Sequence, residues 1–250
     1  MTAVQTRDTP AAPAWYEEAA QDRTAAVAAR ILTGTLVLAI AAVALQTVVD
    51  LFDFWALDRD VEILLVDSDL GVFSWASVAA TSVVAVGALL LSTVDGRRRR
   101  LLWFVAATSA YFSLDDQIGL HERLGDLADH AGGLAAWEPA RVLWPALYLP
   151  LLAVLFLGIW RLAGGFPWRP ARFVTVGLAL LAAAVVLEVL SAAVIRAGFD
   201  RGSVLYELEA ALEEGAELAG WILIAGAFLT AFVLALRDDA AALTVRRPIT

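Results

Sequence analysis

There is no cysteine in this 250-residue chain, which excludes disulfides and thiolate metal sites. There is no lysine either. All 18 basic residues are arginine, which we read as a compositional bias of the genome and not as a functional signal. Only two histidines occur, His121 and His130. Three common site motifs are missing: there is no phosphate-binding Gly-rich loop with Lys, no Gly-x-Ser-x-Gly nucleophile elbow and no dinucleotide fingerprint. Asp67-Ser68-Asp69-Leu70-Gly71 starts like a calcium loop but lacks the third acid and the closing Glu. The first 24 residues contain no apolar run, so no signal peptide is expected there.

What is present is hydrocarbon. The chain is 60% apolar, with a mean hydropathy of +0.73. The apolar residues fall in long runs rather than short alternating strands, which points away from a β-barrel. The fold class expected is all-α: a polytopic integral membrane protein with a six-transmembrane-helix bundle. The spans run about 25–49, 71–94, 101–122, 140–162, 173–195 and 206–236, between a polar tail at 1–24 and a short one at 238–250. Arginines mark one set of turns: Arg97 to Arg100, then Arg169 and Arg172, then Arg237. Segments on that side hold 13 Arg against 7 acids, and the remainder hold 5 Arg against 20 acids. By the positive-inside rule the arginine side and both termini are cytoplasmic. The four-arginine turn is read as a topology signal, and no nucleic-acid partner is expected.

Against this background the acids inside the spans stand out. Glu188 lies about 24 Å along span five from Arg172. Asp115 and Asp116 lie at nearly that height on span three, counted from Arg100. Glu217 lies about 30 Å from Arg237 on span six, with Glu213 and Glu214 one turn further. Spans three, five and six therefore bring acids to one layer in the outer half of the membrane. His121 and Glu122 follow Asp115 and Asp116 closely, either side of a possible break at Gly119. Glu209, Glu213 and Glu217 recur every four residues as a stripe of like charge, a repulsive arrangement that a cation, shared protons or water would relieve. Glu207, Glu209, Asp126 and Asp129 read as a solvated face. An acidic loop is expected after span one, beginning with Asp50 and Asp53.

Carboxylates with one imidazole suit hard or borderline cations. The expectation is a divalent metal ion of unassigned identity, held by Asp115, His121, Glu122, Glu188, Glu214 and Glu217. Asp116 and Glu213 would serve as general base or supporting groups. Such an ion could activate water against a lipid-linked or extracytoplasmic small substrate. His121-Glu122 does not extend to a zincin motif, since position 125 is Gly. Two alternatives stand beside this one. The first is a proton- or cation-coupled transporter or channel in which Glu188 is the relay. The second is a non-catalytic assembly or sensor protein. The location expected is a bacterial or archaeal plasma membrane, with the lipid bilayer as the surrounding partner.

Overall fold

A computed structural model describes residues 14–57, 61, 63, 71–120, 123, 139–196 and 203–245. Among the described residues there are six α-helices and no strands: α1 (Ala14–Ala56), α2 (Val72–Val94), α3 (Arg99–Ile118), α4 (Pro139–Ala163), α5 (Trp168–Arg196) and α6 (Val204–Val245). Four contain stretches long and apolar enough to cross a membrane: Asp22–Ala56, Val72–Val94, Trp168–Leu190 and Val204–Arg237. These fall on expected spans one, two, five and six. α3 spends part of its 20 residues on Arg99, Arg100, Asp115 and Asp116. In α4 the shorter apolar stretch is Tyr148–Ala163. An all-helical chain with four such helices is consistent with an integral membrane protein. Apolar side chains that a soluble protein would cover, such as Val37, Ile40, Val48, Trp75 and Val186, are more than half exposed.

Of the helix ends that differ from the sequence expectation, two bear on the acids. α1 does not stop at Val49 but continues to Ala56. Nothing between these positions breaks a helix, as there is neither Gly nor Pro. Asp50 and Asp53, expected in a loop, therefore lie on the helix, and both are buried. α3 in turn does not reach position 122. It ends at Ile118, where Gly119 takes the left-handed conformation (φ 58°, ψ 41°) and its N–H donates to the Asp115 carbonyl. A residue without Cβ adopts this geometry without strain.

α6 is the hub, packed against α1, α2 and α5; α2 also packs on α3, and α4 bridges α3 and α5. The tightest approach is between α5 and α6. Gly177 and Gly220 face each other so closely that a Cβ on either would lie within 3 Å of the other's carbonyl oxygen. Leu181 packs on Gly220 and Ile224 on Gly177, which sets an antiparallel register. The arginine-rich end of the bundle is filled with apolar side chains, among them Val84, Leu91, Leu102, Ile159, Val174 and Phe228.

That end is also tied together by one arginine. Arg98 donates from Nε to Asp95 and from Nη1 to the Leu162 carbonyl (3.0 Å) near the end of α4. A cation there complements the negative end of the helix dipole. Its guanidinium also lies 6.0 Å from the Phe166 ring centroid, and Phe166 meets Phe228 edge-on. Partial burial works against the Asp95 charge. The Arg98 guanidinium, with the amides of Arg98 and Arg97, outweighs that and holds its carboxyl below the usual value.

Candidate functional site

The register of α5 on α6 decides which acids meet. From the Leu181–Gly220 contact, Glu188 is seven residues along α5 and Glu213 is seven residues along α6 in the opposite sense. Seven residues are nearly two full turns, so both return to the face they left, about 10 Å further along. The two carboxyl groups meet in a side-chain hydrogen bond. Two carboxylates held this close repel each other unless a proton or a cation lies between them.

One turn closer to the arginine end, Glu217 Oε1 accepts two hydrogen bonds. One comes from Ser77 Oγ on α2 (3.2 Å) and one from Trp221 Nε1 on its own helix (3.2 Å). Ser77 and Trp221 are buried. Glu217 is thus held by α2 as well as by its own helix. Glu214 is half-buried on the adjacent stripe of α6.

α1 supplies groups absent from the expected set. Gln46, Asp50 and Asp53 follow an i, i+4, i+7 pattern, which places them on one face of the helix. All three are fully buried. α1 runs antiparallel to α6, with Thr35 against Gly226 and Val43 against Gly215. Extending that register brings Gln46 to Asp53 level with residues 205–212 of α6, which include Glu207 and Glu209. These two were expected on a solvated face, yet they are only 2% and 9% exposed. α6 packs against α1, α2 and α5, which cover it on several sides. Gln46 and Asp53 have no hydrogen-bond partner among the described residues. Leaving one buried polar group unsatisfied costs about 1–3 kcal/mol, and more if it is charged.

A separate polar group forms on the other side of α2. Tyr148 OH of α4 donates to Asp115 Oδ1 (3.2 Å), and the Tyr111 and Tyr148 hydroxyls are 2.8 Å apart. Since Tyr148 spends its proton on Asp115, Tyr111 donates to Tyr148. The two rings stack at 6.3 Å. Beside them, Ser113 bonds the Val78 carbonyl (3.0 Å) and lies 2.8 Å from Ser82 Oγ, which ties α3 to α2. Asp115 is buried and Asp116 half-buried.

The acids thus gather at one end of the bundle in two groups, with α2 touching both. Among the described residues no three His, Cys, Asp or Glu side chains come together in a way that could hold a metal ion. His121 and Glu122 lie outside the described residues, as do Asp126, Asp129 and His130. The signal that could have found the α1 groups is the unbroken helical period through Gln46, Asp50 and Asp53.

Fold and site together describe a helical protein with four stretches long and apolar enough to cross a membrane, and with buried carboxyl groups at the end opposite its arginine-rich turns. The chain belongs to a family described as a domain of unknown function, DUF8692, whose profile matches residues 29–232. No curated protein and no solved structure matches it.

Proposed function

We propose that this is a six-span membrane protein with both termini cytoplasmic, and that its acid layer is a cation-binding site reached from the outer face. The Glu188–Glu213 hydrogen bond carries the reading. Two acids on different helices are held together by the close packing of α5 on α6, and their mutual repulsion is what a bound cation would relieve. A divalent ion is the occupant we favour. A small hard ion such as Mg²⁺ is commonly held by only one or two carboxylates and keeps several waters. Two glutamates, with the buried Gln46 of α1 at nearly the height of Glu213, meet that modest demand. A metal ion competes with protons for the same carboxylates, so affinity should rise with pH.

The opposite half of the bundle argues for binding over passage. Its core is apolar, and hydroxyls within it are committed to their own helices: Ser92 to the Leu89 carbonyl and Thr230 to the Gly226 carbonyl. Neither hydroxyl offers an ion a relay toward the cytoplasm, which places the transporter or channel reading second.

The test is thermal unfolding of detergent-purified protein against Mg²⁺, Ca²⁺, Mn²⁺ and Zn²⁺ after chelation, with elemental analysis of the purified sample. A specific ion at a hundredfold its Kd should stabilise by about 2.7 kcal/mol. Glu188→Gln and Glu213→Gln should remove that gain while the chelated variants unfold as the wild type does. If no divalent ion stabilises the wild type between pH 6 and 9, and none copurifies, the metal reading is wrong.

A further inference from the structure

Far from the acid layer, at the arginine end, a cavity of about 410 Å³ lies between α1 and α5. That is within the roughly 300–1,000 Å³ of small-molecule sites. Its depth is apolar: Leu32 and Leu36 on one wall, Phe173 and Val176 on the other, and buried Leu223 of α6 behind. Its mouth is basic. Arg169 and Arg172 line it, with Trp168 and Thr33 beside them, and no acid among the described residues lines it.

Three observations identify the occupant. The arginines are three residues apart on α5 and share a face. Both guanidiniums lie over the Trp168 ring, 5.4 and 5.6 Å from its centroid. One exposed aromatic thus gathers two like charges at a single point, an arrangement that a bound anion would complete. The membrane-crossing stretch of α5 begins at Trp168, so this point is at headgroup depth, where aromatic and basic side chains anchor helices. The apolar walls run from there along Leu32 to Leu36 and Phe173 to Val176, into the depth of the acyl chains. A free phosphate would use the arginines and leave the walls idle.

We propose that this cavity binds one anionic phospholipid, its phosphate on Arg169 and Arg172 and one acyl chain between α1 and α5. The proposal needs the chain to lie in a membrane but does not depend on the cation site. With the arginine end cytoplasmic, the lipid belongs to the inner leaflet, where anionic headgroups meet basic pockets between helices.

The experiment is native mass spectrometry of the full chain, incubated with equimolar phosphatidylglycerol and phosphatidylcholine of the same acyl chains. The wild type should retain phosphatidylglycerol in preference, in a ratio near one per chain. The double variant Arg169→Gln/Arg172→Gln should lose about 30-fold in that retention, from two removed charges at the membrane surface. Val176→Trp fills the apolar wall at a half-exposed position and should weaken both lipids. Leu36→Trp does the same from the facing helix, and thermal melts verify that each variant is folded. Equal retention of the two lipids by the wild type overturns the proposal. So does undiminished phosphatidylglycerol binding by the arginine variant, or by both tryptophan variants.

Discussion

A methyl group on Gly220 should separate the two helices that carry Glu188 and Glu213. It would sit 2.8 Å from Leu181 Cγ and 2.9 Å from the Gly177 carbonyl oxygen. Carbon pairs prefer about 3.5–4.0 Å. Leu181 can rotate, but the carbonyl is backbone, so α5 must move by about half an ångström or more. Overpacking of this kind costs about 1–3 kcal/mol. A Gly→Ala change in a helix also brings a gain of up to about 1 kcal/mol from propensity, which would mask part of the loss. Gly34 provides the correction, because it is helical and exposed and a Cβ there meets nothing within 4 Å. Gly34→Ala should therefore show the propensity gain alone. The difference between Gly220→Ala and Gly34→Ala isolates the clash, at about 1–3 kcal/mol. In a chain of this length that is about 2–12 °C in Tm. The assay is thermal unfolding of both variants in the same micelle. If Gly220→Ala is as stable as Gly34→Ala, the close contact that sets the register of the acids is refuted.

Other changes read the polar groups individually. Gln46→Leu should raise stability by about 1–2 kcal/mol in chelator, because it removes a buried amide with no partner among the described residues, while the stabilisation by added divalent ion shrinks. A loss of stability in chelator would mean that Gln46 is already satisfied. Tyr148→Phe should cost about 1–2 kcal/mol because it deprives both Tyr111 and Asp115 of a partner. Tyr111→Phe should cost less, and urea titration of the pair should show that order. Asp95→Asn should destabilise the arginine turn by about 0.5–1 kcal/mol at pH 7, the upper part of the range for ion pairs near the surface. The Asp95 carboxyl is lowered in the fold, so its contribution is full above its usual value of 3.8 and fades as pH falls through the lower folded value. The wild-type and Asn melts should converge there. A gap that persists in acid would assign the effect to shape and not to charge.

The helices were legible because long apolar runs between arginine turns leave few other ways to fold. Depth was legible too, since 1.5 Å per residue from an arginine turn places an acid along a helix without knowledge of its neighbours. Depth is only one coordinate, however. Asp115 and Glu188 share a height, yet Asp115 bonds Tyr148 of α4 while Glu188 bonds Glu213 of α6. What separates them is helix order around the bundle, and that depends on contacts such as Gly177 on Gly220 that hydropathy does not report. The same blindness hid α1. Asp50 and Asp53 looked like the start of a loop because acids end apolar runs, although no residue there stops a helix. Glu207 and Glu209 looked solvated for the same reason.

The pattern has a physical sense. An acid beyond the apolar stretch of its own helix can still be buried if a neighbouring helix overshoots to cover it. Here α1 and α6, at 43 and 42 residues, are about 25–35 Å longer than one membrane crossing of about 20 to 25 residues requires, and α1 carries Asp50 to Ala56 beyond the expected end of its span. Those paired extensions turn what would be a charged surface into an enclosed layer. In a low-dielectric layer repulsion between acids is stronger than at a surface, and so is attraction to a cation. The overshoot of two helices, more than any one glutamate, is therefore what makes this end of the bundle a site.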